Sequence, residues 1–191
     1  MQLILASQSP RRKELLSLFH IPFAMQVSDI DESMDHGKPP AQEVARVSLC
    51  KAQAIPRTAS DVVIAADTIV VCDGQVLGKP RDEADAFRML SLLSGRDHQV
   101  MTGLTVLYKD QQVCCTEITD IHFRTLSEKE IRAYIRTGEP MDKAGAYGIQ
   151  GGAALFAERL VGDYYNVMGL PVCRLGQILR DIVPELLEES L

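Results

Sequence analysis

The chain has 191 residues, of which 46% are hydrophobic and 24% are charged, and its formal net charge is −6. This length and composition are typical of a globular protein with a full hydrophobic core, built as one domain or as two closely joined lobes. The acidic balance argues against a general nucleic-acid or membrane-surface binder, which would carry a basic excess. A nucleotide ligand stays open, because it needs only a local cluster of cations.

The cysteines and the N-terminus predict a cytoplasmic protein. The five cysteines follow no zinc-binding pattern and predict reduced thiols. The first residues lack the basic start of a signal peptide, and no apolar stretch reaches membrane-spanning length. The four histidines show neither ligand spacing nor triad companions, so we expect structural roles for them.

The predicted elements alternate between strands and helices. In chain order they are a strand over 2–6, a helix from Ser9-Pro10, a helix over 41–55, a strand over 62–71, a hairpin turn at Asp73-Gly74, a helix from Asp82 to Gly95, strands over 99–108 and 113–123, a helix from the capping box at Ser127 to Gly138, a strand over 154–161 and a last helix from Pro171. This order favours a mixed-sheet α/β fold, with no linker long enough to separate independent domains.

One carboxylate interrupts the strand over 62–71. Asp67 lies in a run of β-branched and small apolar residues, which is typical of a strand covered on both faces. An ionised side chain there is costly unless a cation or hydrogen-bond donors meet it. The alternative is a strand that ends at Ala66 with Asp67 capping a turn, but the apolar run resumes at once. A buried acid with scattered cations indicates a site for a metal ion and a polyphosphate.

The junction that follows the first strand is a candidate anion site. Its hydroxyls at Ser7 and Ser9, the N–H groups of a helix start, and the guanidinium groups of Arg11 and Arg12 could surround a phosphate. The alternative is an ordinary Ser-Pro cap followed by surface arginines.

Two lysines are candidates for the same ligand. Lys51 falls on one helical face with Val44 and Val47, so its ammonium group must reach water or meet an anion, and a phosphate contact explains its position directly. Lys79 lies in the rigid bend Gly78-Lys79-Pro80, where the alternative is a solvated surface lysine.

An acidic cluster and a glycine-rich segment complete the candidates. Asp29, Asp31, Glu32 and Asp35 form the cluster, and one of them could help Asp67 hold a divalent cation, although position alone does not choose among them. The segment over 142–152 predicts a flexible backbone without the P-loop order of residues. Its Gln150 carries an amide that can pair with the edge of a base.

Together these motifs resemble the Maf nucleotide pyrophosphatases. The resemblance is carried, in order, by eight segments: ASQSPRRKELL (6–16), DE (31–32), KA (51–52), AADTIV (65–70), GKP (78–80), SG (94–95), DKAGAYGIQG (142–151) and NVMGLP (166–171). It implies a single Maf-like domain over 1–191 with an α/β, ITPase-like fold: a mixed twisted sheet with flanking helices, and two lobes around a deep cleft. It also implies a homodimer and hydrolysis of nucleoside triphosphates to the monophosphate and pyrophosphate, with Mg²⁺ or a similar ion such as Mn²⁺ or Co²⁺.

The resemblance also implies roles for individual residues. Asp67 would be the proton acceptor and a metal ligand, and Glu32 would assist with the metal. The phosphate-binding group would be Ser7, Ser9, Arg11, Arg12, Lys51 and Lys79. Base preference would be set by one of the paired arginines with Thr68 and Gln150, in a combination similar to the dTTP/UTP branch. The alternatives are a 7-methyl-GTP or other purine pyrophosphatase, and a nucleotide-binding regulator of septum formation in which hydrolysis is incidental.

Overall fold

A computed structural model describes residues 1–27 and 29–187, which form seven strands and six α-helices. In chain order these are β1 (Leu3–Ala6), α1 (Pro10–Ser17), β2 (Phe23–Gln26), α2 (Pro40–Gln53), β3 (Val62–Cys72), β4 (Gln75–Leu77), α3 (Glu83–Leu93), β5 (Asp97–Tyr108), β6 (Gln111–Phe123), α4 (Glu128–Ile135), β7 (Ala157–Val161), α5 (Tyr164–Met168) and α6 (Val172–Ile182). Within these two ranges, every helix is too short or too polar to cross a lipid bilayer.

The strands form one mixed sheet, in the order β2-β1-β3-β5-β6-β7, with β4 paired to β3. β1 runs parallel to both β2 and β3, whereas the β3–β4 and β6–β7 pairs are antiparallel. This arrangement confirms the predicted α/β fold with a mixed sheet and flanking helices.

The chain divides into two compact units. The first comprises Met1–Asp67, Thr102–Glu117 and Gly169–Leu191, and the second comprises Thr68–Met101 and Ile118–Met168. Each unit has an apolar cluster of its own, around Ile4 and Val63 in the first and around Leu90 and Phe123 in the second. The strands β3, β5 and β6 each contribute residues to both units.

Most of the predicted elements are confirmed, and the differences are local. Three predicted helix starts have the expected N-caps, because the side chains of Ser9, Asp82 and Ser127 each accept a backbone N–H three residues on. The predicted strand over 154–161 begins only at Ala157, because Gly152–Leu155 forms a 3₁₀ turn. The short elements β2 and α5 were not predicted.

Helix α2 packs unusually close to β5. An added Cβ at Gly103 would overlap the carbonyl oxygen of Val44 and lie 2.8 Å from the backbone nitrogen of Ala45. Only a residue without a side chain leaves room for the helix backbone at this place. The same helix carries Lys51, one of the predicted phosphate-binding residues.

Replacing Gly103 with alanine is expected to destabilise the protein by about 2–3 kcal/mol, because the obstacle is backbone that cannot rotate away. The free energy of unfolding in urea measures this loss. The matched control is Gly176→Ala in the same unit, where the new Cβ would meet Phe19 at an ordinary 3.5 Å within helix α6. That variant should be neutral or slightly more stable, because alanine favours a helix. Equal stability of the two variants would contradict the close approach.

Candidate functional site

In the first unit, Lys51 bridges two carboxylates. Its Nζ lies 2.7 Å from Oδ1 of Asp67 and 2.8 Å from Oε2 of Glu32. The side chains of Lys51 and Asp67 are only 11% and 14% exposed, whereas that of Glu32 is 56% exposed. Because separating a largely buried ion pair is costly, the contact between Lys51 and Asp67 ties α2 to β3.

The position of Lys51 agrees with its helical pattern. It lies on the buried face of α2 with Val44 and Val47, and its ammonium group does not turn away to water. The anions that it meets are the carboxylates of the protein itself. Its contact with a phosphate therefore stays a prediction.

The junction between β1 and α1 holds the predicted serine and arginine residues in one hydrogen-bonded turn. The hydroxyl of Ser7, which is 8% exposed, accepts the Ser9 backbone N–H at 3.1 Å and a guanidinium N–H of Arg12 at 3.4 Å. Nε of Arg12 also donates to the carbonyl oxygen of Gly169 at 2.8 Å, which fixes the direction of the guanidinium group. The turn is thus ordered by its own polar groups.

The charges of this junction and of the Lys51 cluster act on each other. Burial is the main cause that lowers the pKa of Arg12, and the neighbouring charge of Arg11 lowers it further. The carboxylates of Asp67 and Glu32 oppose this effect and favour the charged form of Arg12. Two arginines and two carboxylates thus lie within range of each other's charges. An anion could compensate the arginines, and a cation bound to that anion could compensate the carboxylates.

The remaining predicted residues belong to the second unit. Thr68 directly follows Asp67 on β3 and is partly buried, while Lys79 and Gln150 are exposed. The turn that contains Lys79 is joined to the glycine-rich segment, because the N–H of Gly145 donates to the carbonyl oxygen of Gly78 at 3.0 Å. Lys79 and the glycine-rich segment are therefore neighbours within this unit.

The glycine-rich segment is fastened by Tyr134 and Glu139. Tyr134 OH donates to Oε1 of Glu139 at 2.9 Å and accepts the N–H of Gly148 at 3.0 Å. The second carboxylate oxygen of Glu139 accepts the N–H of Gly152 at 3.1 Å. An added Cβ at Gly151 would overlap the Glu139 carboxylate. The glycines thus permit close contact with Glu139, and Gln150 lies between two anchored positions.

A buried cluster of aromatic rings also holds the glycine-rich segment, through Tyr147. Nε2 of His98 and the hydroxyl of Tyr147 share a hydrogen bond of 2.9 Å, and both rings pack edge-on against Phe123. Burial raises the pKa of Tyr147 well above its ordinary value, so the hydroxyl keeps its proton. The expectation of a structural role for His98 agrees with this position.

Comparisons with known proteins identify the family. Residues 2–182 match the family described as Maf-like protein. The chain belongs to the Maf family. It is 52% identical over 179 residues to a protein of Symbiobacterium thermophilum named dTTP/UTP pyrophosphatase, covering 93% of this chain and 92% of that relative. A protein of the same name from Bacillus cytotoxicus is 48% identical over 178 residues, or 93% of each chain.

A solved structure shares the fold of this Maf protein. A HAM1 protein from Coxiella burnetii superposes with a TM-score of 0.53 at 16% identity, over 95% of this chain and 99% of that one. At this identity the likeness concerns the fold alone, and it confirms the predicted ITPase-like architecture.

The carboxylates of Asp67 and Glu32 fit a divalent cation. Both direct an oxygen at the same ammonium group, so two hard oxygen ligands face one positive charge. Mg²⁺ commonly takes one or two carboxylates and completes its shell with waters and substrate phosphates. Within residues 1–27 and 29–187 no three His, Cys, Asp or Glu side chains gather as a metal site. The assignment of Asp67 and Glu32 as metal ligands stays a prediction.

The sequence pattern did not single out the residues that fasten the glycine-rich segment. Tyr134 lies on the apolar face of α4 and resembles any core aromatic, and Glu139 follows the helix end in a polar stretch. Their only signal is the density of glycines nearby, since glycine allows the backbone to approach a bulky acceptor. That signal does not name the acceptor.

Acidification is expected to destabilise this Maf protein through His98. Burial lowers the pKa of His98 from 6.5 to about 4, so below its unfolded-state pKa the unfolded chain binds a proton that the folded chain excludes. This contribution to stability is complete above the unfolded-state value and is lost as the pH falls towards the folded-state value. Between about pH 7.5 and about pH 5 we expect a loss of about 2 kcal/mol in the free energy of unfolding.

Urea unfolding of the wild type and of His98→Gln at both pH values measures this effect. Glutamine does not titrate and keeps a polar group towards Tyr147, so the variant should show a pH dependence that is weaker by the stated amount. An identical pH dependence in the two proteins would exclude His98 as its source.

Proposed function

We propose that this protein hydrolyses dTTP and UTP to the nucleoside monophosphate and pyrophosphate. The observation that carries the proposal is the Lys51–Asp67 pair, with Glu32 and two arginines within reach of its charges, in a chain about half identical to proteins named dTTP/UTP pyrophosphatase. The reaction class follows as hydrolysis of an acid anhydride.

The cations serve the substrate's phosphates. Water attack on a polyphosphate is opposed by the charge of the substrate, and fixed Lys and Arg groups offset that charge and stabilise the leaving pyrophosphate. We assign this role to Lys51, Arg11, Arg12 and Lys79, and the two hydroxyls of Ser7 and Ser9 would add hydrogen bonds to phosphate oxygens.

Asp67 acts as the proton acceptor for the attacking water. Its Oδ1 is bound to Lys51 at 2.7 Å, and a triphosphate that draws the ammonium group towards itself leaves that oxygen available for a proton. Asp67 and Glu32 would hold Mg²⁺, Mn²⁺ or Co²⁺, which when bound supplies further compensation of phosphate charge and acidifies a bound water.

Base preference is assigned to Thr68 and Gln150 together with one of the two arginines, Arg11 or Arg12. Gln150 offers both a donor and an acceptor at the exposed part of an anchored segment. Thr68 directly follows Asp67, the proposed proton acceptor, and would contribute its hydroxyl to this preference. Thymine and uracil present a ring N–H flanked by two carbonyls, so an amide can accept from the N–H and donate to one of the carbonyls.

The variant Asp67→Asn is expected to bind nucleotide and to lose most turnover, by about 10²–10⁴-fold, because an amide cannot accept the proton of the attacking water. The assay uses purified protein, Mg²⁺ and a panel of dTTP, UTP, CTP, ATP, GTP, 7-methyl-GTP and modified pyrimidine triphosphates, with detection of both products. Nucleotide binding is measured separately by calorimetry.

The matched control is Asp181→Asn on the exposed surface of α6, which should keep wild-type activity. Unchanged pyrophosphate release by Asp67→Asn would remove Asp67 from the mechanism. Nucleotide binding by the wild type without release of pyrophosphate from any substrate would favour the regulator of septum formation.

The variant Gln150→Glu is expected to lower kcat/KM for dTTP and UTP by about 10-fold or more, because a carboxylate cannot donate to a base carbonyl. Activity on 7-methyl-GTP, whose ring edge presents donors, should rise relative to dTTP. Gln177→Glu, an exposed change on α6, is the control. An unmoved substrate profile in Gln150→Glu would count against the assignment of base preference.

The cytoplasmic location and the homodimer stay predictions. Fractionation of cells and the solution mass of the purified protein test them.

A further inference from the structure

Two side chains of α2 clamp the acidic segment that carries Glu32. The carboxylate of Glu43 is only 3% exposed, and its Oε2 accepts the backbone N–H of Asp35 at 2.9 Å. Arg46, one helical turn further on, donates to the same oxygen through Nε at 3.0 Å and through Nη2 at 2.9 Å. Such forked contacts between a guanidinium and a carboxylate are strong and directional.

The clamp also holds the segment at a second point. Nη2 of Arg46 donates to the carbonyl oxygen of Ser33 at 2.7 Å, so the backbone is bound at Ser33 and again at Asp35. The hydrogen bonds from Arg46 and from the Asp35 N–H lower the pKa of Glu43, in that order, and keep it ionised. Its hydrogen bonds to the Asp35 N–H and to Arg46 join the acidic segment to α2, which is a positional role.

The residue that this clamp positions is Glu32. It directly precedes Ser33, and its Oε2 is 2.8 Å from Nζ of Lys51. With 56% of its side chain exposed, that ion pair alone contributes little and would not fix the segment. Next to Glu32 the Ser33 N–H also donates to Oδ1 of Asp31 at 2.8 Å, a contact within the segment. The contacts that fasten the segment to α2, and so place the Glu32 carboxylate relative to Lys51, include those of Arg46 and Glu43.

We propose that Arg46 and Glu43 are positioning residues for divalent-cation binding, which act by holding Glu32 beside Asp67. The inference rests on the proposed function, since it takes Glu32 and Asp67 as the cation ligands. Outer partners that orient a metal ligand commonly change metal affinity by about 10–100-fold when they are altered.

The test is Arg46→Lys, which keeps a positive charge beside Glu43 but cannot reach two acceptors with a planar fork. The probe is Mn²⁺, titrated in the presence of a non-hydrolysable α,β-imido analogue of dTTP, with free Mn²⁺ followed by electron paramagnetic resonance. We expect Mn²⁺ affinity to fall about 10-fold, while the affinity for the analogue without metal is unchanged.

A double-mutant cycle separates positioning from a general structural effect. Glu32→Gln should also weaken Mn²⁺ binding, and Arg46→Lys/Glu32→Gln should bind no more weakly than Glu32→Gln alone, because the clamp acts through Glu32. Additive losses in the double variant would overturn the inference, and so would wild-type Mn²⁺ affinity in Arg46→Lys.

The matched control is Arg88→Lys on α3. Arg88 binds Asp85, a carboxylate that is 6% exposed, at 2.8 Å with the same helical spacing, and both residues belong to the second unit. It should cost similar stability and leave Mn²⁺ affinity unchanged. If Arg46→Lys does not fold, Glu43→Gln replaces it, because the amide keeps the shape and loses the charge that holds Arg46.

The outcomes distinguish this inference from the proposed function. Loss of turnover in Asp67→Asn together with wild-type Mn²⁺ affinity in Arg46→Lys would retain the pyrophosphatase and reject the clamp. Absence of pyrophosphate release by the wild type would reject the function, while the Mn²⁺ cycle still reports on the clamp.

Discussion

Nζ of Lys51 and Oδ1 of Asp67 lie 2.7 Å apart and are largely shielded from water, and this ion pair constrains the elements that carry it. Because separating such an ion pair is costly, it ties helix α2 to strand β3. Gly103 on β5 leaves room for the backbone of the same helix. A packing detail of β5 is thus linked to the helix that carries Lys51.

In each unit a carboxylate holds an irregular segment that carries a candidate site residue. In the first, Glu43 accepts a backbone N–H of the acidic segment and binds Arg46. In the second, Glu139 accepts a backbone N–H of the glycine-rich segment and binds Tyr134. In both cases an irregular backbone, which lacks the hydrogen bonds of regular structure, receives them from a side chain that is itself held in place. Loops built in this way can present an exposed residue in a defined position.

The sequence predicts the features that depend on local chemistry. The N-caps at Ser9 and Ser127 follow from hydroxyl positions, and the buried face of α2 follows from helical spacing. Strand β2 does not, because its four residues show no alternation and become a strand by pairing with β1. The sequence offers Lys51 as one of several cations for Asp67, but it does not choose among them, since the choice depends on the packing of α2 against β3.

The same division applies to the candidate site. The motifs identify the charged residues, and the structure brings Lys51, Asp67 and Glu32 together. The supporting residues Arg46 and Glu139 could not be predicted, because a helical Arg–Glu spacing and an isolated acid are common on any surface. The segments that they hold are bound through backbone groups, the Ser33 carbonyl oxygen and the Gly152 N–H, and a backbone group leaves no residue-specific signal in a sequence.

The interleaving of the two units has a consequence for how such proteins can be recombined. The chain passes from one unit to the other four times, after Asp67, Met101, Glu117 and Met168. A single crossover between two related genes would therefore leave each unit, or one of them, with segments from both parent proteins. Three of the four junctions lie inside strands, where a foreign partner would also have to match the register of the sheet. Transfer of either unit intact from a related protein would therefore need more than one crossover, because each unit is built from separated segments of the chain.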